Sequence, residues 1–153
     1  MIQRVQTIFL LLTSVFYFFY WLFGLEWYER GYPVIIDIFN ESEYINTILI
    51  SISFIPLIIS GISFVSIFLF KNRKLQIKLT QLGFRLSLVM SLFTIFYFYN
   101  CLSYLTELMP SKFLELLMYA AIVNPFLCCY LLFLALKYIK RDYELINSLE
   151  RIR

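Results

Sequence analysis

Lys71-Asn72-Arg73-Lys74-Leu75-Gln76-Ile77-Lys78 sets four positive charges between two long apolar runs. Short basic segments of this kind stay on the cytoplasmic side of a bilayer, so the stretch predicts a membrane protein and the way it faces. On either side of it, residues 45–70 and 80–105 are each longer than the ~20 residues that cross a hydrocarbon core. Residues 5–24 and 113–136 are similar runs and complete four predicted spans.

Composition agrees. The chain is 61% hydrophobic and only 15% charged, and its mean hydropathy is +0.80, well away from the soluble average. The net charge is +3, but the cations are clustered, so nucleic-acid binding is not expected. The chain has no histidine, which removes the commonest general base and the commonest nitrogen ligand for metals and haem. No cofactor is expected. Cys101, Cys128 and Cys129 lie in apolar runs without C-x-x-C spacing and read as small packing residues.

The first run follows Arg4 and ends at Trp21-Leu22-Phe23-Gly24 without a small-x-small cleavage site, so it reads as a retained span. Residues 26–44 are acidic, with Glu26, Glu29, Asp37, Glu41 and Glu43 against Arg30. Gly31, Pro33 and Asn40 argue against a continuous helix there, leaving residues 34–39 as a short strand or interfacial segment.

In the second run Pro56 predicts a kink, since it cannot donate to the Ile52 carbonyl; Ser53 is the nearest serine to that carbonyl. At the start of the third run Lys71, Lys74, Lys78 and Arg85 fall on one helical stripe descending into the headgroups. Gly83, Ser87 and Ser91 make a small-xxx-small row suited to close helix packing. The fourth run carries Ala120, Asn124 and Cys128 on one face and a second helix breaker, Pro125. Residues 137–153 alternate charge and apolar groups at helical spacing, an amphipathic tail.

Of the 13 basic residues, all but Arg30 and Lys112 fall on the side holding both termini and the 71–78 segment. Both termini are therefore predicted inside and the acidic loop outside. Arg4, Lys71, Arg73, Lys74, Lys78, Arg85, Lys140 and Arg141 are the expected contacts for anionic headgroups or a partner protein. The aromatic clusters at residues 16–20 and 96–99 read as interfacial belts.

Asn124 and Pro56 both count to mid-membrane. Such a pair can form a broken-helix ligand site; the alternative is that Asn124 bonds a carbonyl freed by a proline, holding two helices together for ~1 kcal/mol. With no acid or lysine at that depth, helix cohesion is the better reading. Nucleotide-binding, metalloprotease and serine-hydrolase motifs are absent.

Three stretches, Met1-Ile2-Gln3-Arg4-Val5-Gln6-Thr7, Phe70-Lys71-Asn72-Arg73-Lys74-Leu75-Gln76-Ile77, and Ile139-Lys140-Arg141-Asp142-Tyr143-Glu144-Leu145 with Arg151-Ile152-Arg153, resemble a bacterial family of small four-span inner-membrane proteins known as a domain of unknown function. The resemblance implies a bacterial inner-membrane location and four spans, and it brings no catalytic residue or substrate.

The expected fold is thus an all-α membrane protein, one domain over residues 1–153, built as a four-transmembrane-helix bundle with an acidic outer loop and an amphipathic cytoplasmic C-terminal helix. The expected role is a non-enzymatic accessory or scaffold subunit of a larger membrane complex. The alternative is a small transporter or lipid-binding protein with a site near Pro56 and Asn124.

Overall fold

The computed structural model describes residues 2–38, 43–108 and 111–151. Every regular element among them is helical: α1 (Ile2–Ile38), α2 (Glu43–Ser53), α3 (Ile55–Phe68), α4 (Arg73–Glu107) and α5 (Lys112–Arg151), with a 3-10 turn at Leu69–Lys71. Four stretches are long and apolar enough to cross a membrane, at Val5–Gly24, Tyr44–Lys71, Arg73–Glu107 and Lys112–Ile146. The all-α membrane architecture expected from the sequence is the one found.

Helices α1 and α4 form the centre. α1 packs against α5, α3 and α4, and α4 against α3 and α5. The α1–α4 register is constant along their length, because Tyr17 meets Ser87 and Gly31 meets Cys101, each pair 70 positions apart. The two helices are therefore parallel and nearly coextensive. At 35 residues α4 is about 52 Å long at helical rise, against ~30 Å of hydrocarbon. Its ends reach beyond the apolar layer.

The joints follow from local chemistry. Pro56 sits in the first turn of α3, where a missing N–H costs nothing. Helix α2 closes before it through Phe54 N–H to the Ser51 carbonyl (3.4 Å). The Ser53 hydroxyl donates to the Ile50 carbonyl (2.7 Å), not to Ile52. Between α3 and α4, Asn72 caps α4 by accepting from Leu75 N–H (3.3 Å). Gln76 Nε2 then donates to the Ser66 carbonyl (3.0 Å), satisfying a carbonyl near the C-terminus of α3. Ser111 caps α5 through Leu114 N–H (3.4 Å).

Two sequence expectations are corrected. The acidic segment after Gly24 does not leave the helix: α1 runs through Gly31 and Pro33 to Ile38, while Asn40 lies outside the described residues. Pro33 is exposed, so the Glu29 carbonyl it frees is open to solvent, and burial of Tyr32 and Ile35 in the core outweighs the proline penalty. Pro125 does not break α5; it is buried, and Met118, Cys128 and Leu132 on the same helix are packed in the core to either side of it. The tail is helical, as expected, and continuous with the fourth span: α5 runs unbroken to Arg151.

Candidate functional site

The packing gathers the basic groups at one end. Lys71 and Lys74, at the α3–α4 joint, are exposed, as are Lys78, Arg85, Lys137, Lys140 and Arg141. The first turn of α1, with Arg4, is at the same end by the α1–α4 register. Lys71 lies in the 3-10 turn before α4, so the helical stripe comprises Lys74, Lys78 and Arg85.

Arg73 is a correction: it does not face headgroups but is 8% exposed. Its Nη1 donates to Gln76 Oε1 (2.9 Å), which fixes the amide that reaches Ser66. The same register sets Gln6 level with Gln76, and the stacking of Phe9 on Tyr138 at 5.9 Å brings Asp142 of α5 to that level. Gln6, Gln76 and Asp142 are all buried. Among the described residues, Gln6 Oε1 and Asp142 Oδ2 have no hydrogen-bond partner.

Further into the membrane, Ser14 and Ser60 clasp α1 to α3 reciprocally. Ser14 Oγ donates to the Ser60 carbonyl (3.1 Å) and Ser60 Oγ to the Ser14 carbonyl (2.8 Å). Of the small-residue row on α4, Gly83, Ser87 and Ser91 are all buried. Ser87 shares a 2.7 Å hydrogen bond with the Tyr17 hydroxyl, and a Cβ on Gly83 would lie 3.5 Å from Ile62. Ser91 bonds back to the Ser87 carbonyl (2.8 Å).

Asn124 does link two helices, through a different carbonyl from the one expected. Its Nδ2 donates to the Phe16 carbonyl of α1 (3.1 Å), and its Oδ1 accepts from Cys128 (3.4 Å). Neither proline-freed carbonyl is used. Cys128 is buried, but Ala120, placed with it on one face, is exposed. The buried face of α5 is centred on Met118, Pro125, Cys128 and Leu132, so Ala120 lies too far around the helix. All three cysteines are free thiols.

The aromatic clusters divide by face. Tyr17, Tyr20, Tyr97 and Phe98 are core residues, while Phe18, Phe19, Phe96 and Tyr99 are exposed. Beyond the first span, burial pushes the Tyr32 hydroxyl above the ordinary phenol range, keeping it a neutral donor to the Leu49 carbonyl (3.2 Å). That contact ties α1 to α2 just before the Pro56 break.

The outer surface of α4 and α5 carries a groove of about 430 Å³. Its rims are Leu88, Leu92 and Ile95 on one helix and Phe126, Tyr130 and Phe133 on the other, over Phe84, Ser91 and Cys129. Sequence reading missed this groove, the Ser14–Ser60 clasp and the Gln6/Asp142 layer. A helical-wheel comparison of α1 with α3 could have found the clasp residues; the groove depends on how two helices splay and left no sequence signal.

Four spans, an interior tied by short polar contacts and one basic end define a multi-pass helical membrane protein. The chain belongs to the family described as Domain of unknown function (DUF4293), whose model matches residues 2–152. No curated protein and no solved structure matches it.

Proposed function

We propose that the protein is a non-enzymatic accessory or scaffold subunit of a larger assembly in the bacterial inner membrane, with both termini cytoplasmic. The observation that carries this reading is the single helix α5. It leaves its charge-free stretch at Lys137 and continues to Arg151, and Leu145 and Ile146 are 49% and 42% exposed there among the exposed Lys140, Arg141 and Glu144. Apolar side chains on a helix beyond the hydrocarbon suit a docking face for a cytoplasmic or membrane-embedded partner. The internal hydrogen bonds of Asn124, Ser14, Ser60 and Tyr17 serve helix cohesion, which suits a structural role.

The test is purification of the full chain in mild detergent with mass spectrometry of co-purifying proteins. A stoichiometric larger membrane protein that is lost from a Leu145→Glu/Ile146→Glu variant supports the reading; the same recovery from both, or a lone chain, overturns it. Orientation is tested separately. Glu41→Cys should react with a membrane-impermeant maleimide in intact cells, and protection of that residue would reverse the assignment.

A further inference from the structure

The α4–α5 groove ends in charge. On α5 the wall residues Phe126, Tyr130 and Phe133 continue at helical spacing into Lys137 and Lys140, both exposed. On α4 the wall ends at Phe84, beside exposed Arg85, with Lys78 less than two turns further on. No charged residue lies between Glu115 and Lys137 on α5, and Phe126 is midway between them. From Phe126 to Lys137 is about 16 Å at helical rise, which is one half of the ~30 Å hydrocarbon layer. The groove therefore spans a single leaflet, from the mid-plane to the basic end.

We propose that this groove is a binding site for one anionic glycerophospholipid of the leaflet at the basic end. One acyl chain lies between α4 and α5 over Cys129, and the phosphate rests against Lys137 and Lys140, with Arg85 and Lys78 completing the positive rim. In hydrocarbon an apolar groove gains little over bulk lipid from hydrophobicity alone, so the groove supplies position and fit while the lysines supply selection for negative charge. Arg85, exposed within an otherwise charge-free stretch of α4, gains a counter-charge that it can meet by extending toward the phosphate. The site stands independently of any protein partner.

The experiment is native mass spectrometry of the full chain in mild detergent, with phosphatidylglycerol and phosphatidylcholine of identical chains as competing probes. One retained phosphatidylglycerol is expected, with the preference cut about twenty-five-fold in Lys137→Gln/Lys140→Gln, about fivefold per lysine. Cys129→Trp, which fills the groove floor, is expected to lower retention of both lipids. Lys112→Gln, at the opposite end, should change neither. Equal retention of the two probes by the native chain, meaning bulk lipid only, overturns the proposal. So does a preference that survives the double lysine substitution.

Discussion

The interior has two halves with different chemistry. Toward the basic end the buried positions include the polar Gln6, Thr13, Ser14, Ser60, Ser63, Ser66, Gln76, Thr80 and Ser87, alongside the apolar Leu10, Ile59, Leu132, Ala135 and Ile139. Toward the acidic end they are mostly aromatic or aliphatic, including Tyr20, Tyr32, Ile35, Leu49, Tyr97, Phe98, Leu105 and Met118, with polar exceptions such as Ser53 and Thr94. In a membrane both kinds of core must hold helices together without help from water. The polar half does so with cross-helix hydroxyl and amide bonds, such as those of Ser14 with Ser60 and of Gln76 with the Ser66 carbonyl, while other buried hydroxyls are satisfied within their own helix, as Thr80 is by Gln76 and Ser66 by Ile62. The aromatic half does so by shape, as where Gly31 of α1 lies too close to the Tyr97 ring of α4 to admit a Cβ. Shape-held packing tolerates less change in volume, and polar packing less change in hydrogen bonding.

The largest expected effect belongs to Gly31. A Cβ there would collide with the Tyr97 hydroxyl and stand 3.3 Å from Cys101 Sγ, and Tyr97 is 0% exposed, so neither partner has room to retreat. Gly31→Ala is expected to destabilise the protein by about 2 kcal/mol, within the range for overpacked cores, despite the gain in helix propensity. Thermal unfolding in detergent measures it. Adding Tyr97→Phe removes the obstructing oxygen but leaves the ring carbon Cζ 2.8 Å from the new Cβ, so it should recover only part of the loss; a double variant no better than the single one would show that the hydroxyl is not what limits the fit.

Next comes the clasp in the polar half. Ser14→Ala and Ser60→Ala each leave a carbonyl without its cross-helix donor, and each is expected to cost about 1 kcal/mol, the scale of interhelical hydrogen bonds in membranes. Because the two hydroxyls also lie 3.3 Å apart, the double variant should cost less than the sum of the singles. Strict additivity in the unfolding midpoints would mean that the serines act separately and that the seam is held elsewhere.

The same division explains what could be read from the sequence. The four runs, the Pro56 break and the charge sorting are properties of composition along the chain, and they survive folding because lipid imposes them. What was not legible depends on direction around a helix. Arg73 and Lys74 are adjacent basic residues, yet one faces Gln76 inside and the other is exposed. Phe16 to Tyr20 looked uniform as an aromatic run, although Tyr17 and Tyr20 at three-residue spacing turn inward, a periodicity the sequence does contain. The continuation of α1 through Pro33 was hidden for a different reason. It is carried by tertiary burial of Tyr32 and Ile35, which no local rule about proline registers.

The smallest expected effect is at Gly83, a second packed glycine, and it sharpens the contrast most. Gly83 heads the small-residue row of α4, the feature that sequence alone singles out as a close-packing face. A Cβ on it would lie 3.5 Å from Ile62 Cγ2 and touch nothing nearer, an ordinary van der Waals distance. Gly83→Ala should therefore change the unfolding midpoint little, or raise it slightly through helix propensity worth up to ~1 kcal/mol. Both glycines are buried at helix contacts, but one faces a rigid aromatic hydroxyl and the other the tip of an aliphatic side chain. A loss at Gly83 comparable to that at Gly31 would mean that α3 and α4 approach more closely than their side chains indicate. The row would then act as a backbone-to-backbone seam, and the two halves would be held by the same means.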